Sequence, residues 1–454
     1  MIVKITSLPK KMLGVFLIAF ISRIFLSPYG TYYNDLATYQ LWSLDLIRYG
    51  FQNFYQIAIA DYHPGYLYIL WFTGKVFYWL AAHIPQFAIP EIIYKLPSMT
   101  TDIGIGFLIY LFCLKYTTAK KAISASLLFL FNPVFLMDST LWGQIESYFT
   151  FFLFASVYAL LQKKTLLSAL LFAIAQNIKP IAILIIPFYI VYLLNYKITK
   201  KNIFFFIFIP SLVTILLFMP FSNNNNIIIF IIERYTIMSD WFTFTTLNSF
   251  NLWMMVTLFF QETNHYVYDS TLLLNFSYYN WGNILFILTY LGILFRYHQH
   301  LNSSPKNKSL LSLPNQNKNL KFRRILCITN WFSTKTSTMP QLISKKLASY
   351  YLIFSLALIY ISMFMFLTRM RERHLYFGLV FLTTILPLLP FKKIVLIIPI
   401  YAIFLLNLIY SFLLPTDNPL HLPTWAIIGA SLLNLISLSY LLWIFYFKKI
   451  PFNK

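Results

Sequence analysis

The stretch "KMLGVFLIAFISRIFLSPYGTYYNDLATYQLWSLDLIRYGFQNFYQ", Lys11 to Gln56, decides how the rest of the chain is read. Its first part is apolar and long enough to cross a bilayer as a helix, which takes about 17–25 residues. The character then changes. Asp35, Asp45 and Arg48 stand among Tyr, Trp and Phe, and charge of that kind is costly against lipid. Residues 28–63 therefore read as a loop beyond the first crossing, with its aromatic residues laying amphipathic helices on the membrane surface. The N-terminus resembles a signal peptide in having Lys4, Lys10 and Lys11 before an apolar core. It lacks a small-residue cleavage site, so the first helix is expected to be retained.

Working outward, the same alternation recurs to the end of the chain. Of 454 residues, 59% are hydrophobic and only 11% charged, well under the roughly 25% of soluble domains. The fold class expected is all-α, a polytopic transmembrane helix bundle. The net charge of +22 would suggest nucleic acid in a soluble protein. Here Lys and Arg cluster in short loops, as the positive-inside rule requires, and no nucleic-acid partner is expected. The basic segments 114–121, 162–164, 196–201, 297–347 and 391–393 and the tail are placed inside; 28–63, 138–147, 221–280 and 415–423 are placed outside. Parity then forbids one apolar segment from crossing. The choice falls on 64–84, whose Gly74, Lys75 and flanking prolines suit an interfacial or re-entrant helix.

About twelve spans follow, with a range of 11–13: near 11–27, 95–114, 122–137, 148–162, 165–179, 180–196, 202–220, 281–296, 348–367, 375–391, 394–414 and 424–446. Both termini come out cytoplasmic in a multi-pass protein of the cell membrane. The chain divides into a membrane module at 1–296, a basic cytoplasmic linker at 297–347 and C-terminal spans at 348–454. Cys113 and Cys327 have no motif spacing, so they suggest neither a metal nor a redox site.

This threading gathers polar residues on the outer face: Asn34 and Asp35; Asp61 and His63; Asp138, Gln144 and Glu146; Lys179; then Arg369, Arg371, Arg373 and His374 in "TRMRERHLY". Three arginines and a histidine on the outer side break the positive-inside rule, at a cost that an anion would offset. Each residue also has a plainer reading. Asp35 is placed to cap a helix, Asp61 and Asp138 to form turns, Trp142 to anchor at the interface, Lys179 to snorkel, and Arg371 to pair with Glu372. Their convergence favours a two-part site, with cations for a phosphate and a carboxylate for acid–base work.

The segments "YNDLATYQLWSLDLIRYGFQNFYQ", "DYHPGYLYILW", "YKLPSMTTDIG", "FNPVFLMDSTLWGQIES", "NIKPIAILIIPF", "NSFNLWMM" and "RMRERHLYFGL" occur in that order from residue 33 to about 379. They resemble the GT-C superfamily of membrane glycosyltransferases, and are most similar to bacterial proteins akin to the second mannosyltransferase of GPI-anchor synthesis. Two positions depart from the family pattern. His63 stands where "DYPPGY" has its first proline, and Ile145 and Glu146 follow "WGQ" where an aspartate is common.

The resemblance implies transfer of a sugar, with mannose favoured, from a polyprenyl-phosphate donor to a glycan, glycolipid or protein hydroxyl on the extracytoplasmic side. Asp35 matches the general base of the first outer loop, and the arginine-rich stretch would lie near the donor phosphate. The chemistry is coherent. A carboxylate that removes the acceptor's proton contributes about 10²–10⁴-fold. A phosphate leaving group needs charge stabilisation rather than a general acid, which suits Arg371, Arg373 and Lys179, with His374 and Arg369 beside them. One base and no carboxylate nucleophile imply a single displacement with inversion. Asn34, Asp61, His63, Asp138, Gln144 and Glu146 would contact sugar or acceptor hydroxyls or position Asp35. A divalent metal is possible but not required, and no ligand spacing points to one. The alternative from another class is a transporter or flippase of a lipid-linked or anionic solute.

Overall fold

The computed structural model describes residues 10–195, 200–223, 226–261, 266–302, 339–415 and 420–448. The described residues are 82% helical with almost no sheet. Among the described residues, six helices are long and apolar enough to cross a membrane: Met12–Tyr29, Pro90–Tyr116, Asn202–Phe221, Leu347–Phe366, Phe391–Leu413 and Thr424–Phe447. A seventh crossing is available if Ala119–Leu130 and Pro133–Trp142, bent by 41°, form one broken span. The break has a local cause. Pro133 cannot continue the preceding helix, and Asn132 starts the next by accepting the Val134 N–H at 3.0 Å. Three shorter apolar helices, Glu146–Leu161, Thr165–Ile178 and Pro180–Asn195, follow.

The bundle forms around Leu347–Phe366. Its apolar stretch is 94% buried, against 22% for Asn202–Phe221, so the first is the central helix and the second meets lipid. Helix Met339–Phe366 packs against Tyr278–Asn302, Tyr376–Ile385 and Thr424–Phe447. Gly378 permits the second of these contacts. A Cβ there would sit 2.6 Å from Ile361 Cγ1 and 3.0 Å from the Ile361 backbone nitrogen.

Two buried polar ties fix the elements around the candidate site. Arg23 on the first span meets Asp102 on the second at 3.2 Å, with both side chains fully buried. Asp102 also accepts Ser139 Oγ at 2.5 Å and Tyr376 Oη at 2.7 Å, so one carboxylate joins four elements. Lys95 donates to the carbonyls of Ser27 at 2.8 Å, Leu141 at 2.7 Å and Gly30. That ammonium fastens the end of the first span to the π-helical turn Met137–Trp142. The turn ends at Gly143, whose φ of 84° is a left-handed conformation that favours glycine.

The segment after the first span holds two helices, Tyr33–Tyr49 and Phe51–Ile57. The former packs on Pro64–His83, a 20-residue helix that is not among the six. The stretch read as a crossing at 375–391 is the ten-residue helix Tyr376–Ile385, closed by the turn Leu386–Leu388. At about 1.5 Å per residue that helix alone covers roughly half of a bilayer's hydrocarbon core. Most of the linker placed at 297–347 lies outside the described residues. Its flanks continue the neighbouring helices, Tyr278–Asn302 and Met339–Phe366.

Candidate functional site

Asp35 lies in the first turn of helix Tyr33–Tyr49, where the helix dipole favours an anion. It is half-buried, and its Oδ2 accepts two hydrogen bonds, from Trp142 Nε1 at 2.9 Å and Gln144 Nε2 at 2.5 Å. Both donors come from the turn that Asn132, Pro133 and Gly143 shape. Among the described residues no hydrogen bond reaches Asp35 Oδ1. Trp142 is held in turn by Tyr32 and Phe412, with ring centroids at 5.1 and 5.5 Å.

The arginine-rich segment reaches the same region from the other end of the chain. Met370–Arg371 pairs in parallel with Thr246–Leu247, and the turn Glu372–Leu375 follows. Arg373 is 7% exposed and lies 3.4 Å from Glu146 Oε1 and 3.2 Å from Glu372 Oε1. Lys179 Nζ donates to the same Glu146 oxygen at 2.5 Å. Burial opposes the charge of Arg373, but Glu146 and then Glu372 outweigh it and hold the guanidinium's pKa above its ordinary value. Burial pushes the Glu372 carboxyl up, with Arg373 and Arg371 opposing it. Asp35 is within electrostatic reach of both Arg373 and Glu372. The segment carrying Asp35, the 138–146 turn, Lys179 and the arginine segment are thus brought together.

The cations differ from one another. Lys179 and Arg373, expected as phosphate ligands, are already neutralised by Glu146 and Glu372. Arg371 is in no ion pair among the described residues; its guanidinium lies 4.2 Å from the Phe242 ring centroid. Arg369 is turned away. It meets Asp269 at 2.6 Å, so it serves the segment 266–277 rather than the cluster. His374 Nδ1 accepts the Arg371 N–H at 3.2 Å, and burial, with Lys179 and Arg373, pushes its pKa well down. It stands as a neutral imidazole rather than a cation.

Among the supporting candidates, Asp138 and Glu146 are fully buried in the cluster. Both oxygens of Asp138 and Oε2 of Glu146 lack hydrogen-bond partners among the described residues. Asn34 is exposed, next to Asp35, and its carbonyl accepts Thr38 Oγ1 at 2.7 Å. Asp61 is half-buried in the segment that carries Tyr62. His63 is not in the cluster; it starts helix Pro64–His83 and packs on Tyr235 and Phe218, with ring centroids at 4.4 and 5.6 Å. Burial, then Arg234, lowers its pKa to about 3.

Sequence reasoning passed over several contributors. Glu372 was read only as a partner for Arg371, but it neutralises Arg373. Tyr62 is in electrostatic reach of Arg373, Glu146 and Asp35. With Tyr39, Trp42 and Tyr66 it forms an aromatic wall beside Asp35, with Tyr62 centroids 6.5, 5.6 and 4.9 Å from theirs. Tyr32, Tyr33, Tyr39 and Tyr62 are scattered through this part of the sequence without a periodicity that says which face inward. Among the described residues no three His, Cys, Asp or Glu side chains stand close enough together to hold a metal ion. No protein-family model matches this chain, and no curated protein matches it.

Proposed function

We propose that this protein is an integral membrane glycosyltransferase of GT-C type, moving a sugar, mannose for preference, from a polyprenyl-phosphate donor to a hydroxyl acceptor. The observation that carries the reading is the state of Asp35. One carboxylate oxygen is clamped by Trp142 and Gln144, the other is left open, and the guanidinium of Arg373 is within electrostatic reach. A clamped carboxylate with one open oxygen is what a general base for a sugar hydroxyl needs. Arg371, with no carboxylate partner among the described residues, takes the donor phosphate, and neutral His374 offers a further N–H donor. Arg373, fixed by Glu146 and Glu372, supplies positive potential to the departing phosphate. Lys179 compensates Glu146. Tyr62, partly exposed and backed by the buried Tyr39 and Tyr66, offers a face for the sugar.

In this reading the chain crosses the cell membrane many times, the shorter helices included, with the site outside. Helix Pro64–His83 lies at the interface, where Lys75 folds over Trp71 at 4.2 Å from the ring centroid. A transporter of an anionic solute would need charged groups free to engage it at membrane depth. The pair at that depth, Arg23 and Asp102, is closed on itself. The test is to offer the purified protein a panel of polyprenyl-phosphate sugars and follow release of polyprenyl phosphate. Release with one donor, dependent on an acceptor, supports the proposal; release with none of them refutes it.

A further inference from the structure

A second cluster occupies the other side of the segment Asp61–His63. Adjacent side chains divide there. Tyr62 joins the aromatic wall beside Asp35, while His63 turns toward helix Ile227–Asp240 and packs on Tyr235. His63 is 1% exposed, and neither ring nitrogen has a hydrogen-bond partner among the described residues. Beside it Arg234 lies over the Tyr55 ring at 4.6 Å and near Phe230 at 5.7 Å from the centroids. Arg234 is in no ion pair among the described residues, and its Nε is buried without a partner. Tyr55 Oη donates to the Tyr62 carbonyl at 2.6 Å, which fixes the ring under the guanidinium.

Leaving buried polar groups unmade costs about 1–3 kcal/mol each, so two neighbouring ones in an aromatic frame point to a missing partner. A guanidinium calls for an anion, and a planar fork suits phosphate. A neutral imidazole adds one N–H donor to the same oxygens. The helix that carries Arg234 also says where the anion comes from. Its outer face shows Ile228, Ile229 and Ile232, each more than half exposed, while Phe230, Arg234 and Tyr235 turn inward. A helix with that division lies against lipid. We propose that Arg234 and His63 form a binding site for the phosphate of a lipid head group, separate from the Arg371 site.

The test titrates decyl phosphate into purified full-length protein in detergent by calorimetry. The Arg371→Gln variant serves as background, so that the donor site proposed above does not contribute. That variant should bind one equivalent. Adding Arg234→Gln should weaken binding about tenfold or more, the cost of one charge-assisted contact. Arg234→Lys, which keeps charge and loses the fork, should fall between. His63→Phe, which keeps the ring packing on Tyr235 and Phe218, should weaken binding several-fold while the protein stays monodisperse. Decanol should not compete, and inorganic phosphate should bind at least tenfold more weakly than decyl phosphate. Undiminished binding in the Arg234→Gln variant, effective competition by decanol, or equal binding of inorganic phosphate would each overturn the assignment. No arm measures sugar transfer, so this site and the glycosyltransferase reading stand or fall separately.

Discussion

Replacing Glu146 by Gln removes the carboxylate on which two cations depend. Glu146 is fully buried, Lys179 is 13% exposed, and their atoms are 2.5 Å apart. Arg373 keeps Glu372 at 3.2 Å, whereas no second ion pair reaches Lys179 among the described residues. The cost should therefore fall mainly on Lys179, as a buried ammonium left without its partner, and such losses run to about 3–5 kcal/mol. Lys179→Met alone should cost a similar amount, because it strands Glu146 with only the longer 3.4 Å contact to Arg373. The double variant Glu146→Gln, Lys179→Met should cost less than the sum by about 1–3 kcal/mol, since neither buried charge remains. Unfolding titrations with dodecyl sulfate in mixed micelles read all three. Additive losses would mean that the 2.5 Å pair carries no coupling, and the description of the cluster as an interdependent charge network would fail.

Three further outcomes follow from the same geometry. Gly378→Ala should destabilise by about 1–3 kcal/mol, because its Cβ would press on Ile361 side chain and backbone where helices Met339–Phe366 and Tyr376–Ile385 meet; unchanged unfolding would refute that close approach. His63 should make the protein acid-sensitive. Its pKa is depressed to about 3, so its contribution is complete above the ordinary value near 6.5 and is lost progressively as the pH falls toward the folded-state value. Acidification to pH 5 should cost about 2 kcal/mol through this residue, and His63→Phe should remove that part of the pH slope. Arg371→Gln should raise the donor KM about ten- to a hundredfold with a smaller change in kcat; a fall confined to kcat would place Arg371 away from the donor phosphate.

Apolar runs with polar punctuation announced the helical bundle, because a bilayer demands that pattern. The apolar runs at 148–162, 165–179 and 180–196 are helical but form the shorter helices Glu146–Leu161, Thr165–Ile178 and Pro180–Asn195, and the Asn132–Pro133 break divides the stretch expected as one span at 122–137. Arg369, Arg371 and Arg373 look equivalent in "RMRERH", yet Asp269 takes the first and Glu146 and Glu372 take the last. Which cation stays unpaired depends on residues about 100 and more than 200 positions away, and no local spacing encodes that. The tie between Arg23 and Asp102 was hidden for a related reason. Each charge sits alone inside an apolar run, and only the packing of the two spans shows that they satisfy each other. Tyr62 and His63 adjoin in the chain, but their side chains point to different sides of the segment, so one motif serves two clusters.

The most direct measurement compares wild type with Asp35→Asn in transfer from the preferred polyprenyl-phosphate sugar. Asparagine keeps the size of the side chain and an oxygen for Trp142 and Gln144 while abolishing the base. The account predicts a fall in turnover of about 10²–10⁴-fold, with expression and donor binding retained. Turnover within a few-fold of wild type, in a variant that folds and binds donor normally, would contradict it.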